Sequence, residues 1–144
     1  MGKTTFIALA VLTLSIWAAL VGLLFYKPAS PFVDLGGDEV APAKVAPGGT
    51  VTVTRNFRIV RDEPMTVTRA MIFGDCKESC EILDLSTSKL SLTQGEYRKI
   101  AREHIIPMLA QPGPWRLVFV VHWQDHFGRE LRQPLAELSV EVVK

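Results

Sequence analysis

Cysteine is scarce in this chain, with two in 144 residues, and histidine hardly less so, with three. Both cysteines stand together in "FGDCKESCEIL", Phe73 to Leu83. The antibody arrangement of two distant cysteines around a tryptophan is therefore absent. Excess charge of one sign is missing too. The formal net charge is +1, every acidic residue lies beyond Lys27, and residues 27–144 sum to zero. Nucleic-acid binding shows as a clustered basic excess, so no nucleic-acid partner is expected. Arg55, Arg58 and Arg61 recur every third residue, but Asp62 and Glu63 follow directly. That run reads as a solvated strand edge. No internal repeat of about 20 to 50 residues is present. Nor is there a Gly-x-Ser-x-Gly elbow, a phosphate-cradling glycine loop or His-Glu-x-x-His. Glu103–His104 and Asp125–His126 are sequence neighbours, which in strands face opposite ways. No enzymatic activity and no cofactor are expected.

What is present begins with an uncharged run. Thr4 to Tyr26 contains no Asp, Glu, Lys or Arg. As a helix it spans about 34 Å, enough to cross a hydrocarbon core of about 30 Å. Lys3 precedes it, Tyr26 suits an interface and Lys27 can snorkel. A cleaved signal would have a shorter apolar core and a small-x-small exit, whereas Pro31 follows the small residues of "KPASP". The expectation is an uncleaved transmembrane helix over residues 4–26, after a tail at 1–3. Ser15, Ala18, Ala19 and Gly22 share one helical face, where small residues let helices approach. They are the candidate helix-packing residues of a helix-mediated oligomer.

Residues 27–49 hold four prolines and four glycines and read as a spacer. From Thr50 the period becomes two. Val51, Val53, Phe57 and Ile59 share a face, with Arg55 as the exception. Met65, Val67, Met71 and Phe73 repeat the pattern. Trp115, Leu117, Phe119, Val121 and Trp123 form one side of a strand apolar on both faces in its middle, hence central. Ala136, Leu138, Val140 and Val142 alternate inward. "GEYRKIAREHIIPML" is ambiguous, with a helical stripe through Tyr97, Ile100, Ala101, His104, Ile105 and Met108. Its strand-rich surroundings favour an extended segment. Short strands with Gly/Pro turns and no βαβ rhythm predict an all-β fold. The expected domain is a small immunoglobulin-like antiparallel β-sandwich of about five to eight strands over residues 50–144.

The cysteine pair has three readings. A Cys76–Cys80 disulfide closes a short loop and contributes only about 2 kcal/mol, so it staples a loop tip in an oxidising compartment. A metal site would add His122 and His126 to Cys76 and Cys80, although 41 residues separate Cys80 from His122. For the third, "FGDCKESCEIL" locally resembles the Cys-x3-Cys loop of the membrane-anchored Sco copper chaperones, over about eleven residues. That resemblance implies copper or thiol chemistry at Cys76 and Cys80. The thioredoxin-like frame and the proline after the second cysteine are missing; Glu81 stands there.

The disulfide is preferred. It places the domain outside the cytoplasmic (inner) membrane, in the periplasm or beyond, with the N-terminus inside. Two turn-rich loops are candidate interaction sites: "QPGPW", with Pro112, Gly113 and Trp115, and "WQDHFGR", with Phe127. The expected role is that of a membrane-anchored accessory, assembly or docking subunit. Its partners would be the lipid bilayer and other membrane or envelope proteins. A copper- or thiol-handling accessory factor is the alternative.

Overall fold

The computed structural model describes residues 2–26, 29–74 and 80–144. Among these residues one apolar helix, α1 (Lys3–Phe25), is followed by ten strands. They are β1 (Phe32–Asp34), β2 (Glu39–Ala41), β3 (Lys44–Val45), β4 (Thr50–Ile59), β5 (Met65–Phe73), β6 (Ile82–Leu90), β7 (Gly95–Ile105), β8 (Gly113–Gln124), β9 (Glu130–Pro134) and β10 (Leu138–Val142). The helix is long and apolar enough to cross a membrane, by the same test that a signal sequence passes, and none of its residues is buried. Thr13 and Ser15 donate their hydroxyls to the carbonyls of Leu9 and Val11, at 2.8 and 2.9 Å. Both polar groups are thus satisfied within the helix, as an apolar medium requires.

The strands form two sheets. In the first, β4 is central: β7 lies antiparallel along one side, and β1 and β2 share the other. In the second, the order is β3-β10-β8-β5-β6, and β9 extends β8 beyond the end of β10. Every pairing is antiparallel except β3 with β10. One apolar cluster joins the two sheets, drawing Val51, Val53, Phe57 and Ile59 from β4 and Leu117, Phe119 and Val121 from β8.

Alternation dictates this layout. β5 buries Met65, Val67 and Met71 while Thr66, Thr68 and Ala70 face outward; β8 buries alternate residues from Trp115 to Trp123. With β5 on one side and β10 and β9 on the other, β8 is central, as expected.

The spacer expectation for residues 27–49 requires correction. That stretch supplies β1, β2 and β3, and Phe32 and Val45 belong to the core. Its prolines and glycines punctuate short strands instead of preventing them. Residues 50–144 themselves hold seven strands, within the expected five to eight, and β1 to β3 add to them. At the other end, Ala136 is exposed and β10 begins only at Leu138.

Candidate functional site

The two expected interaction loops lie at opposite ends of β8. Twelve residues separate them by about 40 Å at about 3.3 Å per residue. At the first end, Pro112 is exposed and Gly113 half-buried. The ring of Phe73 sits where a Cβ on Gly113 would go, and Gly113 has a φ of 137°, so only glycine fits. Trp115 is no surface residue: it is 1% exposed, edge-on to Phe73, and donates its Nε1–H to Gln111 O at 2.9 Å. A large ring on an inward strand position is worth more in the core than at a loop. The exposed apolar groups here are Ile105, Met108 and Leu109, at 70%, 75% and 84%. Sequence reasoning missed them by treating Ile105 and Met108 as part of an inward stripe.

The opposite end meets α1. The β8–β9 turn is organised by Asp125, whose side chain is fully buried. Its Oδ1 accepts the N–H groups of Phe127 and Arg129, both at 2.9 Å, and its Oδ2 accepts Arg129 Nε at 2.7 Å. Burial opposes ionisation of this carboxylate, but these donors outweigh it and hold its pKa below the ordinary value. Arg129, so oriented, donates to Leu24 O and to Tyr26 O, the latter at 3.1 Å. It therefore satisfies carbonyls that the last turn of α1 leaves without intrahelical donors. Phe127 is 51% exposed, with Arg129 5.6 Å over its ring. A second tether is Arg61, which donates to Ala29 O at 2.5 Å.

Between the sheets lies a cavity of about 330 Å³. Its exposed lining residues, Lys89, Ser91, Ile100 and Arg102, belong to β6, the loop after it and β7, so it opens between those two edge strands. Arg55, Arg69, Lys89, Arg102 and His104 line it, and among the described residues no acidic one does. Arg55, the inward exception of β4, stacks 4.2 Å over Phe119 and pairs with Asp38 at 2.5 Å. Burial lowers its pKa more than Asp38 raises it. Arg69 is 7% exposed and donates only to neutral oxygens: Ser88 Oγ at 2.8 Å, Ser86 Oγ at 3.3 Å and Val67 O at 3.5 Å. Burial, then the charges of Arg102 and Arg55, lower its pKa. His104 is buried edge-on to Phe119, and its pKa falls to about 4, chiefly by desolvation and then by Arg69, Arg102 and Arg55. A clue to this cavity stood in the sequence, in the one arginine on the apolar face of β4. Arg69 gave a weaker clue of the same kind.

His122 lies on the face of β8 opposite the buried row from Trp115 to Trp123, as the alternation implies. On the outer face of the second sheet its Nε2 lies 2.9 Å from Thr68 Oγ1 and its Nδ1 2.7 Å from Glu130 Oε1. That order, hydroxyl to imidazole to carboxylate, is the sequence of contacts in a nucleophile relay. The three residues line a surface cavity of about 680 Å³, and their backbone is committed to the β5, β8 and β9 ladders. The relay bridges three strands.

Of the four candidate metal ligands, the described ones, Cys80, His122 and His126, do not form a metal-binding group with other described residues. Cys76 lies outside the described residues, and with it the Cys76–Cys80 pairing, though Cys80 is disulfide-bonded and not a free thiol. Residue 81 pairs with Phe73, which stands opposite Trp115. His122 is seven positions further along β8, about 23 Å away. His126 packs on Phe127. Among the described residues, no group of three or more His, Cys, Asp or Glu could hold a metal ion. Ser15, Ala18, Ala19 and Gly22 are exposed, with nothing packed on them.

No family model matches the chain, and no curated protein matches it. Among solved structures it is similar to the Pseudomonas fluorescens alkylpurine DNA glycosylase AlkC bound to DNA containing an abasic site analog, at 18% identity and a TM-score of 0.44. It is also similar to Spo0M, a sporulation control protein from Bacillus subtilis, at 9% identity and a TM-score of 0.39. Each match covers 79% of this chain but only 31% and 50% of those chains. Likenesses this distant carry no functional argument.

Proposed function

We propose that this is a non-catalytic, membrane-anchored accessory or docking subunit of a membrane or envelope complex, with an immunoglobulin-like domain outside the cytoplasmic membrane. The observation that carries this reading is the Arg129 clamp. An arginine held by a buried aspartate grips the final carbonyls of an otherwise unpacked apolar helix. Such a clamp has a use when the helix stays in the bilayer and the domain must stand in a fixed place above it. A signal sequence due for removal would gain nothing from it. In this reading α1 spans the membrane with its N-terminus inside, Tyr26 sits at the outer interface, and a Cys76–Cys80 disulfide staples the far loop. Ile105, Met108 and Leu109 then form the docking tip, presented on a rigid frame away from the lipid.

Alkaline carbonate extraction of native membranes, followed by protease treatment of spheroplasts, tests the anchor. The full-length chain should stay in the membrane pellet, and its C-terminal domain should be accessible from outside. Release of a shortened chain, or protection of the domain with cytosolic markers, overturns the reading. Thiol counting without reductant on the same sample should find no free cysteine.

A further inference from the structure

Arg69 is the least expected residue in the fold. It occupies an inward position of β5 between Val67 and Met71, nearly out of contact with solvent, and no carboxylate among the described residues pairs with it. A buried cation without a counter-charge is strongly disfavoured. Arg102 compounds this. Its Nη1 donates to the same Ser88 Oγ at 3.3 Å, which brings two guanidiniums within about 6 Å of each other, where like charges repel. The rest of the wall is apolar: Val67, Leu90, Leu92, Ile100 and Phe119 line the same cavity. Arg55 is already paired with Asp38, which leaves Arg69, Arg102 and Lys89 facing a space that no acid fills among the described residues.

We propose that the cavity between β6 and β7 binds a small organic acid with an apolar body, its carboxylate or phosphate head lying between Arg69 and Arg102 and its chain against Leu90, Leu92 and Phe119. Guanidiniums match both head groups in geometry as well as charge. The volume suits a chain of about eight carbons, at the lower end of small-molecule sites. A neutral alcohol would leave the two arginines uncompensated, and an amine would add a third like charge. His104, held uncharged by its surroundings, reports the occupancy, because an anion beside Arg69 and Arg102 relieves the field that depresses it. The site belongs to the β-domain and does not depend on the anchor reading.

The test uses the full-length chain in a non-ionic detergent. Octanoate and octyl phosphate are titrated beside octylammonium, octanol and inorganic phosphate, with calorimetry and the NMR signal of His104 as readouts. Either octyl acid should saturate, and the His104 midpoint should rise from about 4 by at least half a unit. Arg102→Gln, at an exposed position, should weaken the acid at least fivefold while leaving the fold intact, and Arg69→Gln should abolish saturation. The tighter of the two acids assigns the head group. Equal binding of octanol or octylammonium, an unmoved His104, or an unaffected Arg102→Gln variant overturns the proposal. If inorganic phosphate binds as tightly as octyl phosphate, the apolar body is not part of the recognition and the proposal fails.

Discussion

His104 shows how far a neighbourhood can move one side chain. Its pKa is about 4 in the fold and near 6.5 in an unfolded chain. Arg55, Arg69, Lys89 and Arg102 line the same cavity, and none of them offers a negative charge. Below pH 6.5 the unfolded chain therefore gains a proton that the folded chain refuses. The stabilisation is complete above pH 6.5 and is lost as pH falls toward 4, by about 2 kcal/mol after allowance for solvent screening. Urea unfolding at pH 7, 5.5 and 4 should show this decline, and a His104→Leu variant should lack most of it. Equal slopes in the two proteins would place the titration elsewhere. At this scale the sequence was partly legible. Arg55 stood out as a charge on an apolar face. Its partner Asp38 did not, because nothing local ties a residue in a Pro/Gly-rich stretch to one seventeen positions later.

The elements show why some patterns misled. β7 carries a bulge: Phe57 faces Tyr97 and Arg55 faces Ile100, so Arg98 and Lys99 together oppose Asn56. Lys99 takes a φ of 51° and its N–H donates to Asn56 Oδ1 at 2.9 Å. The extra residue turns an inward spacing of two into one of three between Tyr97 and Ile100, which is how a strand acquires a helical signature. β6 carries a matching irregularity opposite Arg69 and Ala70; it packs Leu83, Leu85 and Leu90 against the core but sets Ser86 and Ser88 against Arg69. It lacks the apolar alternation that would have announced it. β4, β5 and β8, clean alternations on buried faces, were legible throughout. The β8–β9 turn offers the prediction at this scale. Arg129→Ala removes the donors to Leu24 and Tyr26 and should speed proteolysis in the segment joining α1 to β1 roughly tenfold, the equivalent of one charge-assisted hydrogen bond of about 1.4 kcal/mol. An unchanged cleavage rate, with Tm preserved, would mean that the clamp does not restrain the helix.

For the whole molecule, the most exposed apolar side chains of the described residues gather toward two ends. α1 exposes its entire length of apolar side chains, while Ile105, Met108 and Leu109 lie at the other end of the strands. A single Leu109→Asp substitution at an 84% exposed position should leave Tm within about 1 kcal/mol equivalent of the parent. It should also remove the chains that co-purify with the protein in mild detergent. Retention of those chains at parental yield would move the docking surface off this loop. The division could not be read from sequence, since it depends on which end of β8 adjoins the helix, which long-range contacts such as those of Arg129 and Arg61 decide.

The length of β8 has a mechanical consequence. α1 meets one end of this strand and the exposed loop sits at the other, so in the proposed role tension between a bilayer and a bound partner would run along it. Hydrogen-bond ladders to β5 on one flank and to β10 and β9 on the other then bear load in shear, many bonds at once, instead of peeling one by one.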